Sequence, residues 1–179
     1  MNTRKASRRP TRVLRWITVD TEIGAVLAVS SDLGLVAVRV APAIDSLVAD
    51  LSREHAADVL VPAEPSEFLE LRQALAELAG GRGIESPLRL DLGGSDFQRR
   101  VWDALAEIPR GHTRTYSQVA AEVGRPTSVR AVANACGANR LALVIPCHRV
   151  IRSDGSLGGY RWGIDVKRTL LQLELGARP

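Results

Sequence analysis

A chain of 179 residues, 45% apolar and 25% charged, is a folded globular protein of one domain or of a small domain packed on a larger one. This composition excludes disordered, collagen-like and low-complexity classes. Two cysteines exclude a disulfide-built secreted scaffold, and no apolar run approaches the roughly twenty residues of a membrane helix, so a reducing cytoplasm and no membrane partner are expected.

The net charge of +4 is unevenly distributed. Residues 1–15 carry six basic side chains and no acid, residues 16–96 sum to −9, and residues 97–179 sum to +7. Such a basic C-terminal half suits a polyanion, nucleic acid being the commonest, and equally suits a merely solubilising face. Residues 1–12 read as a flexible basic arm.

Residues 13–40 alternate apolar and β-branched segments broken at Thr21-Glu22 and Ser30-Ser31-Asp32, which predicts a three-stranded antiparallel meander. Helical spacing follows. Ile44, Leu47, Val48 and Leu51 share one face; Phe68, Leu71, Leu75 and Leu78 share another, which Gly80-Gly81 ends. A short strand is expected over 88–92. The fold class is therefore α/β (α+β): a small N-terminal domain, 13–92, with a three-stranded antiparallel sheet and helices, and a mainly helical C-terminal domain, 93–179.

The second half opens on Ser95 with Gln98 three residues on, a capping-box pattern, before Phe97, Val101, Leu105 and Ile108 at helical spacing. Pro109 and Gly111 stop that helix. A short helix over 117–123, the Gly124 turn and a helix from Ser128 to about Cys136 give the outline of a helix-turn-helix, which serves plain architecture as well as DNA binding.

The apolar run 141–145 leads into Pro146-Cys147-His148-Arg149-Val150-Ile151. A thiol is nucleophilic as thiolate, and His148 and Arg149 supply a proton acceptor and a cation beside Cys147. A buried, inert cysteine is the competing reading. On an extended segment His148 and Cys147 point to opposite faces and would communicate through a water. Cys136, among small and polar neighbours, reads as structural. Cys136, Cys147 and His148 lack a fourth ligand and zinc-motif spacing, so no metal is expected.

The segment 146–151, with Asn139 before it and Gly159-Tyr160-Arg161-Trp162-Gly163 after it, resembles the O6-alkylguanine-DNA alkyltransferases, the methylated-DNA–protein-cysteine methyltransferases. Similarity runs from Phe97 to about Glu174 and includes Val101-Trp102, Ile108-Pro109, Gly111, Thr115-Tyr116 and Arg130-Ala131-Val132. Its form most resembles the C-terminal repair domain of the bacterial adaptive-response protein. The acidic half matches the family only in general plan.

The resemblance implies a single-turnover enzyme of direct-reversal DNA repair in a bacterial-type cytoplasm. Cys147 would take the alkyl group from O6 of guanine irreversibly, with O4 of thymine a further candidate. His148 would bridge by water to the thiol and be oriented by Glu174; Asn139 would hold the turn, and Tyr116 would donate a proton to the leaving base. Arg130 would enter the base stack as the lesion flips, with Thr115, Ser128, Ala131 and Arg149 at the DNA. The helix-turn-helix would lie in the minor groove of duplex DNA. Ile145, Pro146, Gly158, Gly159 and Tyr160 would line the base pocket, Gly158 replacing the Ser or Asn of the commoner pattern. No cofactor and no structural zinc are expected, and the protein is expected to be a monomer. The alternative is a non-catalytic protein that binds alkyl lesions and flags them for excision repair, against which the presence of Cys147 argues.

Overall fold

The computed structural model describes residues 11–176. Strands β1 (Val13–Thr21), β2 (Gly24–Ser31) and β3 (Gly34–Ala41) form the expected antiparallel meander. The sheet has a fourth strand that the sequence reading did not expect: β4 (Val59–Pro62) pairs parallel with β1, giving the order β3-β2-β1-β4. Four residues with partly exposed side chains carry no readable period, so this edge strand is fixed by pairing alone. The predicted strand over 88–92 is reduced to a single bridge between Leu90 and Leu35.

Alternation along β2 explains the layering. Val26 and Ala28 face the main core, while Ala25, Leu27 and Val29 face a smaller one closed by Leu47 and Leu51 of α1 (Ile44–Glu54). On the main-core side, α2 (Leu69–Ala79) inserts Leu75 and Ala79. Phe68 takes a left-handed φ of 55° just before α2, its ring 5.8 Å beneath the Arg15 guanidinium.

Two of the three expected helix starts of the second half carry reciprocal caps. In α3 (Asp96–Ala106), Gln98 N donates to Ser95 Oγ at 3.3 Å and Ser95 N to Gln98 Oε1 at 2.8 Å. The same reciprocal box, Thr115 with Gln118, starts α4 (Tyr116–Glu122), one residue earlier than the periodicity suggests. Gly124, at φ 72°, turns the chain into α5 (Val129–Ala138). Strands β5 (Arg114–Thr115) and β6 (Val150–Ile151) pair parallel, and α6 (Ile164–Gly176) closes the chain. Among the described residues no helix is long and apolar enough to cross a membrane.

The two halves share one core. Ile17, Val26 and Val38 belong to the same buried cluster as Val101, Leu105, Leu141 and Leu170. Edge strand β3 is also bonded to the second half: Val38 N donates to Arg140 O at 2.8 Å, and Ala142 N to Val38 O at 3.1 Å. Most of the proposed arm lies outside the described residues, but Arg12 belongs to the fold. Its amide donates to Asp58 Oδ1 at 3.1 Å and its guanidinium to Asp91 Oδ2 at 3.3 Å.

Trp102 on α3 donates from Nε1 to Ala135 O on α5 at 2.9 Å, inside the core. Trp102→Phe keeps much of the apolar surface but leaves that buried carbonyl short of a donor. Urea denaturation should show a loss of about 1–3 kcal/mol.

Candidate active site

Cys147 opens a single 3-10 turn, Cys147–Arg149, rather than continuing an extended strand. Three residues in one tight turn project in three directions, so Cys147, His148 and Arg149 reach different partners. The run before them is a compact turn too, with Ile145 N donating to Leu141 O at 3.0 Å and Leu143 at a left-handed φ of 70°. A buried leucine in that conformation is strained, and the closely bonded turn around it holds the strain.

Asn139, fully buried at the end of α5, ties this turn to the thiol. Its Nδ2 donates to Ile145 O at 2.9 Å and to Cys147 Sγ at 3.2 Å, while its Oδ1 accepts from Leu141 N at 2.8 Å. Burial pushes the Cys147 thiol up to about 11, against the opposing pull of the Asn139 hydrogen bond. The resting group is therefore a neutral thiol.

His148 is 2% exposed. Its Nε2 lies 2.8 Å from Glu174 Oε1, and its Nδ1 is buried with no partner among the described residues. Burial lowers its pKa, outweighing the Glu174 carboxylate, so the imidazole is neutral at pH 7. With Nε2–H directed to the carboxylate, Nδ1 carries the free lone pair.

Glu174, near the end of α6, is the hub. Besides His148 it accepts from Arg149 Nη2 at 2.8 Å, from Arg149 Nε at 3.1 Å on each oxygen, and from Gly111 N at 3.2 Å. Burial alone would raise its carboxyl, but the hydrogen bonds from His148 and Arg149 and the Arg149 charge hold it down to about 2. Arg149, expected at the DNA, turns inward instead and also donates to Ile108 O at 2.6 Å. A guanidinium so placed neutralises a buried carboxylate and has no free face for a phosphate.

Lys167 escaped the sequence reading. It is wholly buried, and its ammonium donates to the carbonyls of Val150 and Leu157, stapling the loop after the cysteine turn to β6. Burial lowers its pKa to about 8. The available signal was spacing: Lys167 and Glu174 lie two helical turns apart, on one face of α6 with Leu170. Cys136 is buried and raised to about 12 by that burial.

Of the expected pocket residues, Ile145 and Pro146 are buried beside Cys147, while Gly159 is exposed. Gly158 has a φ of 68°, and a Cβ there would lie 3.3 Å from the Tyr116 ring and hydroxyl. Tyr116 and the glycine loop are thus packed against each other, close enough that only a glycine fits at 158 without a shift. Tyr116 is half-buried and its phenol is pushed up by burial, which keeps it protonated. The Tyr160 ring packs edge-on to His148 at 6.4 Å and to Trp162 at 5.2 Å; its hydroxyl is buried with no partner among the described residues.

The expected DNA-facing residues divide. Arg130 and Ala131 are exposed on α5, as are Asn134 and Gly137, one outward stripe at helical spacing. Ser128 precedes α5 without capping it, and the Thr115 hydroxyl is engaged with Gln118 N and Ser117 Oγ. Among the described residues, no group of three or more His, Cys, Asp or Glu side chains could hold a metal ion.

The hub makes a pH prediction. Because the Glu174 carboxyl is depressed, its stabilisation is present above the unfolded value near 4.5 and disappears as pH falls towards 2. Glu174→Gln should cost about 3 kcal/mol at pH 7 and little near pH 2, as read by denaturation at the two pH values.

Comparison with known proteins agrees with this geometry. Residues 96–176 match the DNA-binding domain of the 6-O-methylguanine DNA methyltransferases. The chain is 44% identical over 161 residues to the regulatory protein ada of Salmonella typhimurium, covering 90% of this chain and 45% of that protein. It thus spans about half the length of such relatives. It is 45% identical over 116 residues to a methylated-DNA–protein-cysteine methyltransferase of Mycobacterium bovis, covering 65% of this chain and 70% of the relative. In structure it resembles the OGT of Mycobacterium tuberculosis in complex with DNA, with a TM-score of 0.76 and 38% identity over 93% of this chain and 95% of the other. On sequence and fold together, the chain belongs to the methylated-DNA–protein-cysteine methyltransferase family.

Proposed function

We propose that the protein reverses O6-alkylguanine damage in DNA by transferring the alkyl group to Cys147, once per molecule. The observation that carries this reading is the pairing of a buried neutral thiol with a neutral imidazole. The Nε2 of that imidazole is committed to Glu174 while its Nδ1 is unpartnered. As the S–C bond forms and the O6–C bond breaks, the electron pair stays on the base. The thiol proton passes through a water to His148 Nδ1, and the departing guanine takes a proton from Tyr116. A thioether has no easy return path, so turnover stops there.

A methyl carbon on a stacked guanine is out of reach of a buried thiol, so duplex repair requires base flipping. The outward stripe of α5 supports a helix seated in the minor groove: Ala131 and Gly137 permit close approach, and Arg130 is long enough to fill the vacated stack. The flipped base would enter where Tyr116 and the Gly158 loop now touch, and the two would part to admit it. The protein would act as a monomer, with residues 93–179 carrying DNA binding and chemistry and 13–92 bracing them.

Intact mass after incubation with a duplex carrying one O6-methylguanine should rise by one methyl per protein, on the Cys147 peptide, and Cys147→Ser should abolish the gain. Tight lesion-selective binding with no mass change would overturn transfer and favour the lesion-flagging alternative. Arg130→Ala should leave transfer from free O6-benzylguanine unchanged and slow duplex repair on the order of tenfold, the cost of flipping unaided. Equal slowing of both would assign Arg130 to the fold.

A further inference from the structure

The residues that hold the relay carboxylate all come from the second half, yet the first half touches the same helix at its back. After α2 the chain turns at Gly81, at a left-handed φ of 71°. A Cβ on Gly81 would lie 2.6 Å from Leu173 C, 2.7 Å from Glu174 N and 2.8 Å from Leu173 Cβ. Two of these are backbone atoms of α6, which no rotamer change can move aside. The turn of α6 that carries Glu174 is thus held between Gly81 on one side and His148, Arg149 and Gly111 on the other. It lies in the last turn of its helix, where a free end would fray.

We propose that Gly81 is a positioning residue for alkyl transfer: its missing side chain lets the first half seat directly on the backbone of Leu173 and Glu174, fixing where the carboxylate meets His148. The seat acts through a distance. Relief of a 2.6 Å contact requires the α6 backbone or the Gly81 turn to move, and the Glu174–His148 bond of 2.8 Å is the nearest functional geometry to absorb that movement. Loss of imidazole alignment then weakens Nδ1 as the proton acceptor of the thiol.

The inference rests on the alkyl-transfer reading, so its test has two readouts. Gly81→Ala adds both the Cβ and left-handed strain; Gly81→Asn adds the same Cβ with less strain, since asparagine tolerates that region. Gly24→Asn is the control. Gly24 also has a positive φ, 109°, and a Cβ there would meet Ala41 O at 2.6 Å, in the first half. The rate of transfer from free O6-benzylguanine, which needs no DNA binding, should fall about tenfold or more in both Gly81 variants. The His148 imidazole should move in chemical shift and apparent pKa by NMR. Gly24→Asn, with a comparable loss of stability, should leave the rate of the folded protein and the His148 signals unchanged. Folded Gly81 variants with wild-type rate and wild-type His148 signals would overturn the proposal. So would failure of both Gly81 variants to fold, which would assign the residue to the fold alone. Should the wild-type chain accept no alkyl group, the transfer reading fails by itself, and the His148 signals still decide whether Gly81 sets the relay.

Discussion

The site depends on one buried carboxylate. Glu174 is 3% exposed, and a charge in that position is tolerable only because an arginine, a histidine and a backbone amide converge on it. Each of these partners carries the arrangement further. Through His148 the carboxylate fixes the tautomer that leaves Nδ1 free, and through Arg149 it reaches the carbonyl of Ile108 at the end of α3. Gly111 brings in the loop after α3, so that loop, the cysteine turn and α6 meet at two oxygen atoms. An arginine spent inside the protein in this way is lost to DNA, and the phosphate-facing charge must come from other residues of the basic half.

Burial has a second consequence at Cys147. A thiol held near 11 is almost wholly protonated at pH 7, and a protonated thiol is a poor nucleophile. On the proposed function each molecule reacts once, and an indiscriminate thiolate would waste that reaction. Asn139 stabilises developing negative charge on sulfur, and the nearby Lys167 ammonium favours it too, but neither overcomes desolvation without a reacting partner in place. On the proposed function, selectivity would then reside in the coupling of proton removal to arrival of the base. The strained Leu143 turn fits this logic: its cost is met by Asn139 and neighbouring amide bonds, and the sulfur is held ready without being ionised.

The legible parts of the sequence were those with a local physical cause. The meander, the first capping box and the glycine stops all follow from periods and caps within a few residues. The cysteine motif was legible as chemistry, and Glu174 and Asn139 only through resemblance. What escaped reading depends on partners far along the chain. β4 exists because β1 offers it an edge, and the segment 88–92 fails as a strand because the edge of β3 is shared with residues 140–142. Arg149 looked like a surface cation because nothing nearby in sequence announces the carboxylate that captures it. Lys167 was hidden because a lysine on a helix is ordinarily solvated, and its two carbonyl partners come from segments 10 and 17 residues away.

The charge division acquires a structural meaning once the shared core is considered. Residues 16–96 carry −9 and residues 97–179 carry +7, yet the two sets are joined by one hydrophobic cluster, by the bonds of Val38 to the segment before the cysteine, and by Gly81 against α6. With the six basic residues before position 16 included, the first half carries −3 against +7 for the second, and a polyanion would orient such a body with its basic half leading. Encounter with DNA would then present α5 without any base being read, and selectivity would be left to the step that follows, entry of a flipped base between Tyr116 and the Gly158 loop. On the proposed function the acidic half would contribute twice, as a brace behind the relay and as the trailing end of the charge asymmetry. Neutralising its surface acids would leave the brace intact while removing the orientation, which separates the two contributions physically.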